Sequence, residues 1–181
     1  MFQLSDSAQK YLLKVARTTI AVYLKSKTKP SIPLTSLQEV HQKRGVFVTL
    51  YRNGQLCGCV GYVHSLTPLV QSVAECVLSA VEDDRFTQPK FSELATVQIE
   101  LSILSELEKI KSPSEIELGR HGLVVTYGSQ RGLLLPKVAI ENGWNQEEFL
   151  EQTCYKANLP GTVWKNGAVL ERFTTLVFRG N

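Results

Sequence analysis

The two β-type runs around Asn53-Gly54 constrain the fold of this chain more than any other feature. RGVFVTLY (44–51) and LCGCVGYV (56–63) are rich in β-branched and aromatic residues, and RNGQ separates them. Asn-Gly between such runs is the strongest short-range signal for a β-hairpin. The period of two along the second strand predicts that Cys57 and Cys59 lie on the same face.

Helices are indicated at four places. A helical period with Ser5 as the N-cap predicts a helix that ends before KTKPSIP, followed by a loop to about Lys43. Thr67 is predicted to cap a second helix that begins at Pro68. Further helices are predicted from Pro136 to Gly143, and over 145–158, where Asn145 and Glu148 have the spacing of a capping box.

Strands are indicated beyond the first hairpin as well. VQIELSIL (97–104) alternates, which predicts that Glu100 and Ser102 face solvent. GLVVTY (122–127) and RGLLLP (131–136) predict a second hairpin, and LERFTTLVF (170–178) predicts one final strand. Because hairpins and helices do not strictly alternate, the expected fold class is α+β, with a mainly antiparallel sheet and flanking helices.

Length and composition narrow the class of protein. The 181 residues suit one domain, or two lobes sharing a core, and 43% hydrophobic residues are ordinary for a globular protein. The first residues lack the pattern of a signal peptide, and no apolar run is long enough to span a bilayer. The four cysteines do not form a dense disulfide framework, so we predict reduced thiols, a cytoplasmic location and no membrane partner.

The charge distribution is uneven. Residues 1–60 hold nine Lys/Arg and two Asp/Glu, a net +7, whereas residues 61–181 hold eleven and fifteen, a net −4. A basic first third could attract nucleic acid, but its charges do not interleave with aromatic residues. Solvated surface is therefore the preferred interpretation, and no nucleic-acid partner is expected.

Metal and redox chemistry at the two neighbouring cysteines are both disfavoured. Cys57, Cys59 and His64 have the spacing C-x-C-x4-H, but no second cluster completes a zinc site. Neighbouring positions on one strand face rarely reach disulfide geometry. We therefore expect no metal and no cofactor.

A thiol nucleophile at Cys59 is the more plausible chemistry. Its activation would require a base such as His64 or His121, or a nearby helix N-terminus. From the residues alone, the preferred interpretation is nevertheless that Cys59 is a small buried residue, since cysteine is among the most buried residue types. Carboxylates such as Asp83 and Glu100 could act as acids or bases, but a solvated helix end and the outer face of a strand are the preferred explanation of them.

Several segments together resemble the AMMECR family. The first hairpin is similar to the family's signature, whose hexapeptide L-R-G-C-I-G stands here as LCGCVG (56–61). The similarity continues through DDRF (83–86), IELSIL (99–104), GRHGLVV (119–125), RGLLLP (131–136), GW (143–144) and CYKANLP (154–160). Cys59 occupies the place of the motif cysteine, whereas Cys57 stands where the family usually has arginine.

The resemblance implies an α+β domain over residues 1–181 with two lobes, and a site near their junction. It also implies partners, because microbial relatives accompany a Memo-type protein and a radical SAM enzyme as component A of a proposed three-part system. It implies no established reaction. The expected binding residues are Leu56, Cys57, Gly58, Cys59, Val60, Gly61, Arg85, Glu100 and His121.

Three functions follow as hypotheses, and the sequence leaves open whether the chain is an enzyme. The leading one is a binding or accessory protein whose cleft at the LCGCVG hairpin receives a small ligand, a peptide or a partner. The alternative is a thiol-dependent enzyme with Cys59 as the catalytic nucleophile. A further alternative is a nucleic-acid-associated regulator.

Overall fold

A computed structural model describes residues 3–180 of the chain. It divides into two compact units, unit 1 (Met1–Leu104 with Leu176–Asn181) and unit 2 (Ser105–Thr175). Residues 1, 2 and 181 of the expected 1–181 domain lie outside the described residues. That the two units act as one domain stays a prediction.

Unit 1 contains two long helices and a four-stranded sheet. In chain order its elements are α1 (Asp6–Ser26), β1 (Val46–Arg52), β2 (Gln55–Tyr62), α2 (Leu69–Val81) and β3 (Val97–Leu104), with β8 (Thr175–Gly180) added from the end of the chain. Short 3-10 helices cover Gln38–His41 and Phe91–Thr96. The order of the sheet is β2-β1-β3-β8, so β2 and β8 are its edges.

The helix boundaries of unit 1 follow from their caps. The Ser5 side chain accepts a hydrogen bond from the Ala8 N–H, as the sequence predicts, and Lys27 ends α1 with a φ of 57°. The prediction that Thr67 caps α2 is wrong, because Pro68 is the N-cap residue. The Thr67 hydroxyl lies 3.0 Å from the Ser72 hydroxyl instead.

The core of unit 1 lies between the two helices and one face of the sheet. Leu12 and Ile20 of α1, Val77 of α2, and Leu50 and Leu101 of the sheet are fully buried in one apolar cluster. Hydrophobic burial of this kind is the main stabilising contribution to a domain of this size.

Unit 2 has its own sheet and its own apolar cluster. Its elements are β4 (Glu108–Lys109), β5 (Gly122–Tyr127), β6 (Gln130–Leu134), α3 (Pro136–Asn142), α4 (Gln146–Lys156) and β7 (Val169–Phe173), with 3-10 helices at Pro113–Glu115 and Val163–Lys165. The sheet order is β4-β7-β5-β6, and Phe149 and Leu150 of α4 are buried in the cluster. The predicted capping box is confirmed, since Asn145 and Glu148 bond each other's backbone N–H.

The final strand differs from its prediction. LERFTTLVF is two strands separated at Thr174, and they belong to different sheets, with β7 in unit 2 and β8 in unit 1. Continuous β-propensity through Thr174 and Thr175 conceals this break. The α+β class is nevertheless confirmed, with two four-stranded sheets in place of one.

Candidate functional site

A β-bulge at Cys57 shapes the segment that carries the sequence motif. Leu50 pairs with Gly58 and the next residue, Tyr51, pairs with Leu56, so Cys57 has no partner in β1. A bulge of this kind shifts the alternation of side chains by one residue. The prediction that both thiols share a face is therefore wrong: Cys57 joins the apolar cluster, whereas Cys59 lies beside Thr49 on the other face.

The main chain of Cys59 is held by two charged side chains. Asp83 Oδ2 accepts a hydrogen bond from the Cys59 N–H at 3.1 Å, and Arg85 Nη2 donates one to the Cys59 carbonyl oxygen at 2.9 Å. Because β2 is an edge strand, these backbone groups would otherwise face away from the sheet unpaired. The two side chains thus supply the donor and the acceptor that a further strand would supply.

Asp83 and Arg85 also bond each other. Arg85 Nε lies 2.8 Å from Asp83 Oδ1, and Arg85 Nη2 lies 2.7 Å from Asp83 Oδ2, a bidentate pair. The hydrogen bond from Arg85 contributes most to lowering the pKa of Asp83 to about 2. The hydrogen bond from the Cys59 N–H lowers this pKa as well. The Asp83 side chain is only 4% exposed, so the sequence-based view of it as part of a solvated helix end is wrong.

A row of polar side chains crosses the sheet face that lies opposite the helices. Thr49 Oγ1 is 3.4 Å from Cys59 Sγ, and Thr49 pairs with Glu100 in β3. Glu100 in turn accepts hydrogen bonds from Arg179 of β8, at 2.7 Å from Nε and 2.5 Å from Nη2. The row therefore runs through all four strands.

The middle of this row is buried. Thr49, Glu100 and Ser102 are each no more than 2% exposed, so the prediction that Glu100 and Ser102 face solvent is wrong. The period of two places them correctly on the face away from the helices, but at these positions that face is not open to water. A buried carboxylate is tolerated only with a compensating partner, and Arg179 is that partner.

The motif glycines are required by close packing. A Cβ atom at Gly58 would lie 2.0 Å from the carbonyl oxygen of Ala80 in α2, and one at Gly61 would lie 2.4 Å from the ring of Phe47. Both distances are far below van der Waals contact. The small residues of LCGCVG thus let a helix and an aromatic ring approach the strand.

The four cysteines differ in exposure. Cys57, Cys76 and Cys154 are buried, and Cys59 is partly exposed, which contradicts its interpretation as a small buried residue. Burial raises the pKa of Cys57 and of Cys154, and it raises the pKa of Cys76 to about 12. Accessible thiol chemistry among the described residues therefore centres on Cys59.

His121 belongs to unit 2 and is almost fully buried. Its Nδ1 accepts a hydrogen bond from the Glu117 N–H at 3.0 Å, so the neutral ring carries its proton on Nε2. Burial contributes most to lowering the pKa of His121, and the positive charges of Arg172 and Arg120 lower this pKa further. Its expected membership of the site stays a prediction.

Three residues of the polar network around Cys59 and Glu100 were missed as site residues by sequence reasoning. Asp83 lies in the DDRF segment and was considered only as a possible acid, while Thr49 and Arg179 carry no local signal. Thr49 and Arg179 become neighbours of Cys59 and Glu100 only through strand pairing, which sequence periodicity does not specify. Over residues 3–180, no group of three or more His, Cys, Asp or Glu side chains is placed to hold a metal ion.

A comparison with family models identifies the family, and relatives of similar sequence cover nearly the whole chain. The family model described as AMMECR1 matches residues 13–178. A protein of Pyrococcus abyssi is 38% identical and is matched over 98% of this chain and 93% of its own length. A protein of Methanothermobacter thermautotrophicus is 41% identical over 87% of this chain and 85% of its own.

A solved structure is also similar. The crystal structure of an uncharacterised protein from Pyrococcus horikoshii matches with a TM-score of 0.91 and 35% identity. The match covers 99% of this chain and 95% of that one.

Proposed function

The chain belongs to the AMMECR1 family, and from that premise we propose that it is a binding or accessory protein that receives its ligand or partner at Leu56–Gly61. The observation that carries this proposal is the arrangement around Cys59. Its backbone is fixed by Asp83 and Arg85, while its thiol stays partly exposed. Such fixed geometry lowers the entropic cost of binding.

The groups beside the thiol suit recognition by hydrogen bonds. Arg85 is half-exposed at one side of Cys59, and the Thr49 hydroxyl lies at the other. Leu56, at the start of the same segment, exposes an apolar side chain. A few placed polar groups beside an apolar one are typical of small-ligand and peptide sites.

The partners implied by the family resemblance belong to the same proposal. A Memo-type protein or a radical SAM enzyme would meet this chain at the Leu56–Gly61 segment. Alkylation of Cys59 is a local reporter of such contact, because the other cysteines are buried.

The experiment measures iodoacetamide labelling of each cysteine by mass spectrometry, with and without the purified Memo-type protein and radical SAM enzyme of the same genome. We expect a partner to slow labelling of Cys59 at least about tenfold, while Cys154 is unchanged. Leu56→Asp should weaken that protection, and Tyr155→Asp, at another exposed large hydrophobic residue in unit 2, should not. The proposal would be refuted if a partner protected Cys59 equally well in both variants. It would also be refuted if neither partner slowed the labelling of Cys59 in the wild type.

A thiol enzyme at Cys59 is the second candidate, and the partial exposure of this thiol favours it. The thiol contacts the Thr49 hydroxyl, which is not a base that could accept its proton. A catalytic thiol keeps a high alkylation rate below neutral pH. An alkylation rate of Cys59 that falls tenfold for each pH unit below about 8 would count against the hypothesis of a thiol enzyme.

A further inference from the structure

The exposed face of α1 carries lysines and no acidic side chain after its first turn. Lys10, Lys14 and Lys25 share this face with Thr18, since they fall within one narrow arc of a 3.6-residue period. The opposite arc, which includes Leu12 and Val15, is buried in the unit 1 cluster. Lys27 and Lys29 follow at once in the exposed loop.

Among residues 3–180 these lysines pair with no carboxylate, unlike three arginines of unit 1. Arg52, Arg85 and Arg179 each pair with a carboxylate. Within residues 3–180, none of the five lysines forms an ion pair, and Lys27 instead lies over the Tyr23 ring at 4.7 Å. The chain between Asp6 and Glu39 contains six Lys/Arg and no Asp/Glu.

The exposed apolar side chain of Leu34 lies in the loop that is bonded to the lysine-bearing part of α1. The Tyr11 hydroxyl, between Lys10 and Lys14 along α1, donates a hydrogen bond to the carbonyl oxygen of Pro33. The next residue, Leu34, is fully exposed. The loop is therefore fastened to the lysine-bearing turns of α1, with Leu34 pointing into solvent.

We infer that Lys10, Lys14, Lys25, Lys27 and Lys29, named the lysine face, dock this protein reversibly onto an anionic lipid surface, with Leu34 entering the headgroup layer. Each lysine near such a surface contributes about a fivefold gain in partitioning, which salt removes. An exposed apolar side chain adds a contribution that salt does not remove.

Lipid fits this surface better than nucleic acid does. Binding to single strands relies on aromatic rings that stack on bases. The two tyrosines of α1 are engaged, Tyr11 with Pro33, and Tyr23 with Lys27 and Glu82. No helix in residues 3–180 is long and apolar enough to cross a membrane. The sequence expectation of no membrane partner rested on the absence of a spanning segment, which surface docking does not require.

The test is co-sedimentation of the full chain with phosphatidylcholine vesicles, with and without about 30% phosphatidylserine, at about 0.05 M and about 0.5 M salt. We expect binding only to the anionic vesicles and mainly at low salt. Lys10→Glu/Lys14→Glu should reduce the partition coefficient by at least about 100-fold. Leu34→Ser should lower it a few-fold and abolish what remains at high salt.

The matched control is Lys109→Glu/Lys156→Glu, two exposed lysines of unit 2, which gives the same net charge. It should bind nearly as wild type does. Equal loss in both double variants would overturn the proposal, because net charge alone would then explain binding. Failure of the wild type to sediment with anionic vesicles would also overturn it, and tight binding of a single-stranded RNA probe by the same preparation would assign the lysine face to nucleic acid. Circular dichroism melting of each variant verifies that it folds.

Discussion

The hairpins β1–β2 and β5–β6 are built alike but differ in regularity. Both are antiparallel, and each has a tight turn with a glycine at positive φ, Gly54 at 78° and Gly128 at 58°. The register of β5–β6 is unbroken from Leu123 to Tyr127, whereas that of β1–β2 slips at Cys57.

The difference lies in what surrounds the second strand of each hairpin. A helix approaches both, at Gly58 in β2 and at Gly132 in β6. In β2 the edge backbone at Cys59 is held by two charged side chains, those of Asp83 and Arg85. Close helix packing thus accounts for Gly58 and Gly132, while the bulge and the charged pair belong to the candidate site.

The largest expected effect tests the close packing of a helix against a glycine, which both hairpins share. Gly58→Val and Gly132→Val should each destabilise the protein by about 3 kcal/mol or more, because the new side chain meets helix backbone at 2.0 and 2.5 Å. Urea unfolding measures the loss. Gly128→Ala, at the open turn, should cost only about 1 kcal/mol. A tolerated Gly58→Val would mean that the bulge lets β2 move away from α2.

The next effect tests the charged pair Asp83–Arg85 at the edge of β2. Asp83→Asn should lower the free energy of unfolding by about 1–2 kcal/mol at neutral pH. The loss is no larger because Arg85 is half-exposed, so solvent weakens its interaction with Asp83. Since folding lowers the pKa of Asp83 from 3.8 to about 2, its contribution is complete above about pH 4 and is lost as pH falls toward 2. Urea unfolding at several pH values should show this loss in wild type and not in Asp83→Asn. Asp84→Asn, at an exposed neighbouring carboxylate, should behave as wild type.

A smaller effect separates the two sides of the bulge. Cys57→Ala should cost about 1 kcal/mol because Cys57 is buried, and Cys59→Ala should cost less. Iodoacetamide labelling should modify Cys59 well before Cys57, Cys76 or Cys154. Equal rates at Cys57 and Cys59 would show that the strand slips to place both thiols on one face.

The smallest expected effect concerns His121 in unit 2. Because folding lowers the pKa of His121, its contribution to stability is present above pH 6.5 and declines as pH falls below that value. Protonation would also break the bond from the Glu117 N–H. His121→Asn offers a similar acceptor without titrating, so its stability should change less between pH 7 and pH 5 in thermal melts. His41→Asn, at an exposed histidine, should leave the wild-type profile unchanged.

Sequence reasoning succeeded where local chemistry decides the structure. The Asn53-Gly54 turn, the Ser5 cap and the Asn145–Glu148 capping box are all confirmed, because each depends on residues close in the chain. The α+β class followed from the order of such elements.

The failures share a different cause. The slip at Cys57, the burial of Glu100 and the break at Thr174 all depend on pairing between distant segments. The alternation of residues along a strand predicts which face of the sheet each residue occupies. It does not predict what covers that face, or whether a bulge interrupts the alternation. The motif therefore pointed to Cys59 as the candidate site, while the contacts of Cys59 with Asp83 and Thr49 emerged only from the tertiary structure.

The assignment of β7 and β8 to different units has a consequence for synthesis. Unit 1 lacks its fourth strand until the ribosome has made all of Ser105–Thr175. At ordinary translation rates that interval lasts roughly 4 to 14 s. Throughout it, β3 has an open edge and Glu100 lacks Arg179. The nascent chain thus passes through a stage in which unit 2 can fold while unit 1 waits with an unpaired strand, the condition under which a chaperone or a neighbouring nascent chain competes for that edge.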